Sequence, residues 1–172
     1  MVFVKNTGTN DAYVRTYFAF EQGDIEVESP IITGNGEIVW PGYKIEMNMD
    51  MDHWHWEAIA SDIIIYDEAG NANKYVVMSA TYLGAGGTDY NGILKSDTTS
   101  YVSLAQVYMK PETTQEDIKL LDKNGNGTVD VLVATQAVQA DGFEDATKTG
   151  LENANNAFEK AFGDELPFKT SK

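Results

Sequence analysis

Two short stretches hold the residues best able to do chemistry. The first is His53-Trp54-His55-Trp56-Glu57. On a strand, residues two apart share a face roughly 7 Å apart, so His53 and His55 could grip one metal ion between them. Glu57 lies another step along and would not close a flat site, and the chain has no third histidine. A hydrolytic zinc centre needs three protein ligands, an open position and a base, and the HExxH helix that supplies them elsewhere is absent. The preferred reading is a solvent-side strand face at a corner, with the tryptophans packed inward, so zinc is not expected. The second stretch, Asp122-Lys123-Asn124-Gly125-Asn126-Gly127-Thr128-Val129-Asp130, follows the first nine places of a calcium loop. Asp122, Asn124, Asn126 and Asp130 would be its ligands, and weak calcium binding is the chemistry it would offer. Place twelve is Val133, where the loop needs a bidentate glutamate. An Asn-Gly turn leading into a strand is the preferred reading. No Ser-His-Asp order, phosphate loop or dinucleotide fingerprint is present, and Gly84-Ala85-Gly86-Gly87 reads as a loop.

These stretches need strands to position them. From Ala12 to Phe20 the residues alternate, with Ala12, Val14, Thr16, Phe18 and Phe20 on one face and Tyr13, Arg15, Tyr17 and Ala19 on the other. Both faces are largely apolar, which places this strand centrally in a sandwich. Arg15, the only arginine, sits mid-strand, where a guanidinium needs a fixed partner such as a carboxylate. Tyr43, Ile45, Met47, Met49 and Met51 alternate with polar residues; period-2 methionines are core gap-fillers before they are copper ligands. The phase flips at Trp54 and Trp56, which predicts a corner near Asp52-His53. Ile63 to Met78 reads as a hairpin, with further strands at Tyr101 to Met109 and Thr128 to Gln139. Thr114 and Asp117 have the spacing of a capped short helix. Asp141 and Glu144 read as a capping box opening a long amphipathic helix over 141–162. Its stripe includes Phe143, Leu151, Phe158 and Phe162, expected to dock it on the sandwich. Residues 164–172 read as a frayed tail.

The sequence therefore predicts an all-β antiparallel sandwich with one C-terminal amphipathic helix, as a single domain over 1–163. A net charge of −15 keeps such a chain soluble and repels nucleic acid and anionic membranes. The absence of cysteine excludes a disulfide scaffold and cysteine catalysis. No apolar run approaches the ~20 residues of a membrane span, and Met1-Val2-Phe3-Val4 opens directly into a strand.

Two segments carry a family resemblance: Val4-Lys5-Asn6-Thr7-Gly8 with Asp11-Ala12-Tyr13-Val14-Arg15, and Val131-Leu132-Val133 with Gln136-Ala137-Val138-Gln139-Ala140-Asp141-Gly142-Phe143. With the alanine-rich helix ending Ala161-Phe162-Gly163, they resemble exported proteins processed by the SipW-type signal peptidase, the family of TasA and the camelysin-like proteins. The resemblance implies a jelly roll, a removed signal peptide, export across a Gram-positive membrane and self-association into biofilm matrix fibres through sheet edges. Other matrix proteins are further implied partners. In the fibre-forming relatives each subunit lends its N-terminal strand to the next. Family members carry one or two strands before the segment matching Val4-Lys5-Asn6-Thr7-Gly8, so the chain is expected to be N-terminally truncated relative to them. The camelysin branch implies, as an alternative, a metal-dependent endopeptidase at His53 and His55. A monomeric adhesion or accessory module on the same scaffold is a further alternative.

Overall fold

The structure, a computed structural model, describes residues 1–86, 90–123 and 125–171. Its organising strand is β1 (Ala12–Glu21), whose two apolar faces are both covered. β6 (Ala72–Tyr82) pairs along one side of it and β9 (Val131–Gln139) along the other, both antiparallel. β7 (Ile93–Leu94) meets β1 at Ala12 and Tyr13, and β5 (Trp54–Tyr66) pairs with β6 to complete a five-stranded sheet. Opposite its inner face, β4 (Ile45–Met49) pairs with β8 (Leu104–Met109). The N-terminal residues extend this second sheet, bridging Val2 to Leu104 and Lys5 to Thr99. A small hairpin of β2 (Ile31–Ile32) and β3 (Ile38–Val39) lies beside it. The chain is thus the antiparallel all-β sandwich that its alternation predicts, with a C-terminal helix.

The inner core is built by the alternation itself. Val14, Phe18 and Phe20 from β1 meet Trp54, Trp56, Met78 and Tyr82 from the same sheet and Tyr43, Ile45 and Leu104 from across the sandwich. The expected corner is present: β4 ends at Met49 and β5 begins at Trp54, in different sheets. Asp50 folds it, its carboxylate accepting the backbone N–H groups of Asp52 (2.8 Å) and His53 (3.0 Å). Ile63 does not start a separate strand; β5 runs through to Tyr66 with two bulges that bend it. Asp62, at φ 58°, sits in the second bulge, where Gln22 holds it by accepting its backbone N–H at 2.8 Å.

The outer face of the large sheet is covered by α2 (Gly150–Phe162). Gly150, Asn153, Ala154, Ala157 and Phe158 are buried, which is one stripe of the helical period. The helix starts later than the sequence suggests. Residues 141–148 form turns, with Gly142 at φ 85° and Asp145 accepting the Thr147 backbone N–H at 2.9 Å. The capping box belongs to Thr149 and Glu152 instead of Asp141 and Glu144. Tertiary contact fixes this start: Gly150 lies against the backbone of Asn91 and Gly92, so close that a Cβ would meet Asn91 C at 2.2 Å. Phe143 therefore packs half-buried from a turn, Leu151 is half-buried, and Phe162 is 39% exposed, stacked on Phe158 at 6.4 Å. The short helix α1 (Gln115–Leu121) carries the predicted Thr114–Asp117 box.

The tail is not wholly frayed. Leu166 and Phe168 pack on the outer-face cluster of Tyr17, Ala19, Ile65, Tyr75 and Val77, and Lys169 accepts the Tyr66 backbone N–H at 2.9 Å. The helix leaves this part of the apolar face open, and burial draws the tail onto it. Among the described residues no helix is long and apolar enough to cross a membrane.

Arg15 lies between the sheet and α2, but its partners are not carboxylates. Its Nε donates to Thr81 Oγ1 at 2.9 Å, its Nη2 donates to Asn155 Oδ1, and its guanidinium carbon sits 4.5 Å from the centre of the Phe158 ring. Neutral partners and partial exposure make the loss of this side chain mild, so Arg15→Ala is expected to cost about 1–2 kcal/mol. Phe158→Ala, which empties a fully buried site, is expected to cost roughly 3–5 kcal/mol. Denaturant midpoints of the two variants give both values, and a Phe158→Ala loss smaller than that of Arg15→Ala contradicts the packing described.

Candidate functional site

The two histidines do not converge. His53 precedes β5, its Nδ1 lies 2.8 Å from Asp50 Oδ2, and its ring stacks on Tyr101 with centroids 3.6 Å apart. Its contribution is to lock the corner between the sheets. His55 turns to Glu57 on the outer face, with Nε2 3.7 Å from Oε1. The imidazole, and more weakly the Arg15 charge, hold the Glu57 carboxyl below its ordinary value against the opposing effect of burial. Each imidazole thus has its own carboxylate.

The Asp122–Asp130 loop is closed on itself. Asp122 accepts the N–H groups of Asn126 (3.0 Å) and Gly127 (2.8 Å). Asn126 Oδ1 accepts from the backbone and hydroxyl of Thr128, whose hydroxyl also reaches Asp130. Asn124 lies outside the described residues. Among the described residues no group of three or more His, Cys, Asp or Glu is placed to hold a metal ion.

The charged residue that sequence reading passed over is Glu21. It is fully buried at the end of β1 and ties that strand to β6 and to the residue just before β9. Its carboxylate accepts the Asp130 N–H at 2.9 Å and an Asn73 amide hydrogen, while its own carbonyl accepts the Tyr43 hydroxyl at 2.6 Å. Burial pushes its pKa up; the Asp130 and Asn73 hydrogen bonds oppose this, and the Asp130 charge adds to the rise. Its only sequence signal was a carboxylate ending an apolar strand.

The feature best suited to engage another molecule is an open slot beside β4. That strand pairs with β8 on one side, and among the described residues no strand pairs its other side. The unpaired edge borders a cavity of about 300 Å³ whose apolar lining includes Trp40, Met47, Met49 and Met51 and whose charged lining is Glu37, Glu46 and Lys110. Trp40 is 3% exposed, and among the described residues its indole N–H has no acceptor. A buried donor without a partner costs about 1–3 kcal/mol, so a carbonyl brought there would be stabilising. The three methionines are partly buried and line this gap at the rim of the core. No family model, curated protein or solved structure matches the chain. What the slot offers is an edge of unpaired backbone groups beside adaptable apolar side chains, which suits an extended peptide.

Two measurements follow. A raised carboxyl pKa favours the fold fully below the ordinary value of 4.5, and that contribution is lost as pH rises through the raised value. Glu21→Gln removes this dependence, so the stability of the variant relative to wild type is expected to climb as pH rises from about 4 to 7. A flat difference across that range rules out the buried, raised carboxylate. For the loop, millimolar calcium is expected to leave the melting temperature unchanged. A rise that Asp130→Ala abolishes would establish a calcium site after all.

Proposed function

We propose that the protein is a secreted, non-enzymatic structural subunit of an extracellular matrix or surface fibre, assembled by β-strand addition between copies. The observation that carries this reading is the slot beside β4, with its methionine lining and an edge that no strand pairs among the described residues. An incoming strand pairs its main chain with β4 and turns alternate apolar side chains onto Met47 and Met49. Ladder bonds supply affinity and the slot supplies selectivity. The resemblance of the Val4–Arg15 and Val131–Phe143 segments to exported fibre proteins supports the same reading, as does a net charge of −15 that keeps unassembled copies apart.

The test is direct. Electron microscopy of the purified chain is expected to show filaments, and the protein is expected in the medium of the cells that make it. Met47→Asp places a carboxylate in the slot at a half-buried site, so it should abolish filaments while the subunit stays folded by circular dichroism. Filaments that form equally well with Met47→Asp, or a wild-type chain that never forms them, would sink the proposal.

A further inference from the structure

The large sheet has two edges, and they are guarded differently. β5 carries His55, Glu57 and Asp62, is bent by two bulges, and has its end met by the tail at Tyr66. Bulges and charges of this kind block edge-to-edge pairing. β9 has none of these defences. Its sequence, VLVATQAVQ, holds no proline and no charged side chain, and it pairs with β1 in unbroken register from Gln139 to Val131. Among the described residues nothing pairs with its outer side. Its inner-face residues Val133, Thr135 and Ala137 are exposed.

We propose that β9 is a homodimer interface, in which the strand pairs antiparallel with β9 of a second copy about a two-fold axis through Thr135. The two five-stranded sheets then continue as one. The occupant is a second copy because the edge is self-complementary: with Thr135 at the axis, Gln136 faces Ala134, Ala137 faces Val133, Val138 faces Leu132 and Gln139 faces Val131, so no charge meets a like charge along the junction. Charge points the same way. Two bodies of net charge −15 repel over most of their surfaces, and β9 is the longest strand without a charged side chain. Asp130 and Asp141 flank it, so each copy brings carboxylates to the ends of the junction and the dimer tightens as salt screens them. The junction extends strand addition from the β4 slot to a second edge, and it stands whether or not filaments form. A two-fold contact closes on itself, whereas slot filling propagates, so the two together would give a fibre whose repeating unit is a dimer.

The full-length chain is expected to sediment as a dimer, more completely at higher salt. Ala137→Lys, an exposed edge position, is expected to sediment as a monomer with its melting temperature retained. Thr135→Cys introduces the only thiol in the chain and should form a reducible cross-linked dimer under mild oxidant, whereas Ile59→Cys, exposed on β5, should not. A monomeric wild type overturns the inference. So does a dimer that resists Ala137→Lys without cross-linking through Thr135→Cys. If Ala137→Lys fails to fold, the cross-link decides. A dimer that survives Met47→Asp while filaments vanish assigns the two junctions separately, and a dimer lost with Met47→Asp but kept with Ala137→Lys removes β9 from assembly.

Discussion

The constraint on which the architecture rests is that β1 is apolar on both faces. A half-buried strand needs one partner layer; this one needs two, and the fold supplies them. The β4–β8 sheet covers Val14, Phe18 and Phe20, while α2 and the tail cover Tyr13, Tyr17 and Ala19. The helix is therefore a third layer of the structure and no appendage. Arg15 is tolerated on that outer face because Phe158 offers its ring and Thr81 and Asn155 offer oxygens. The late start of α2 follows from the same need. Its first residue must be a glycine to approach the backbone at Asn91, and the stripe from Gly150 to Phe158 then falls on the sheet.

Much of this was legible in the residues, for an identifiable reason. Period-2 alternation in β1 and β4, and the phase change between Met51 and Trp54, report directly which side of a strand faces the core. The Thr114–Asp117 box was legible because capping is local. The Asp141–Glu144 box failed for lack of that locality: two capping signals compete within a few residues, and a distant backbone contact selects the second. The tail was misread because nothing within it reveals the uncovered apolar face it lies on.

The site was less legible than the fold. His53 and His55 have spacing that suits a metal, yet His53 sits before the strand where the chain turns, so the shared-face rule does not apply to it. The slot beside β4 was invisible because a vacant edge is a property of neighbours. Met47 and Met49 look like core fillers in sequence, and their alternation cannot tell a closed core from an open rim. Glu21 was passed over for a similar reason, since its partners Asn73 and Asp130 come from remote parts of the chain.

The pairing of β1 also bears on when the molecule can fold. Its neighbours are β6 and β9, so Tyr17 finds Ser79 on one side and Ala134 on the other. During synthesis the central strand is made early and waits, both faces apolar, until the chain has been extended through Gln139. Closing such long loops makes folding slow and leaves aggregation-prone surface exposed in the interim. A polypeptide wired in this way leaves its final collapse to follow the arrival of β9, the last strand of the sheet.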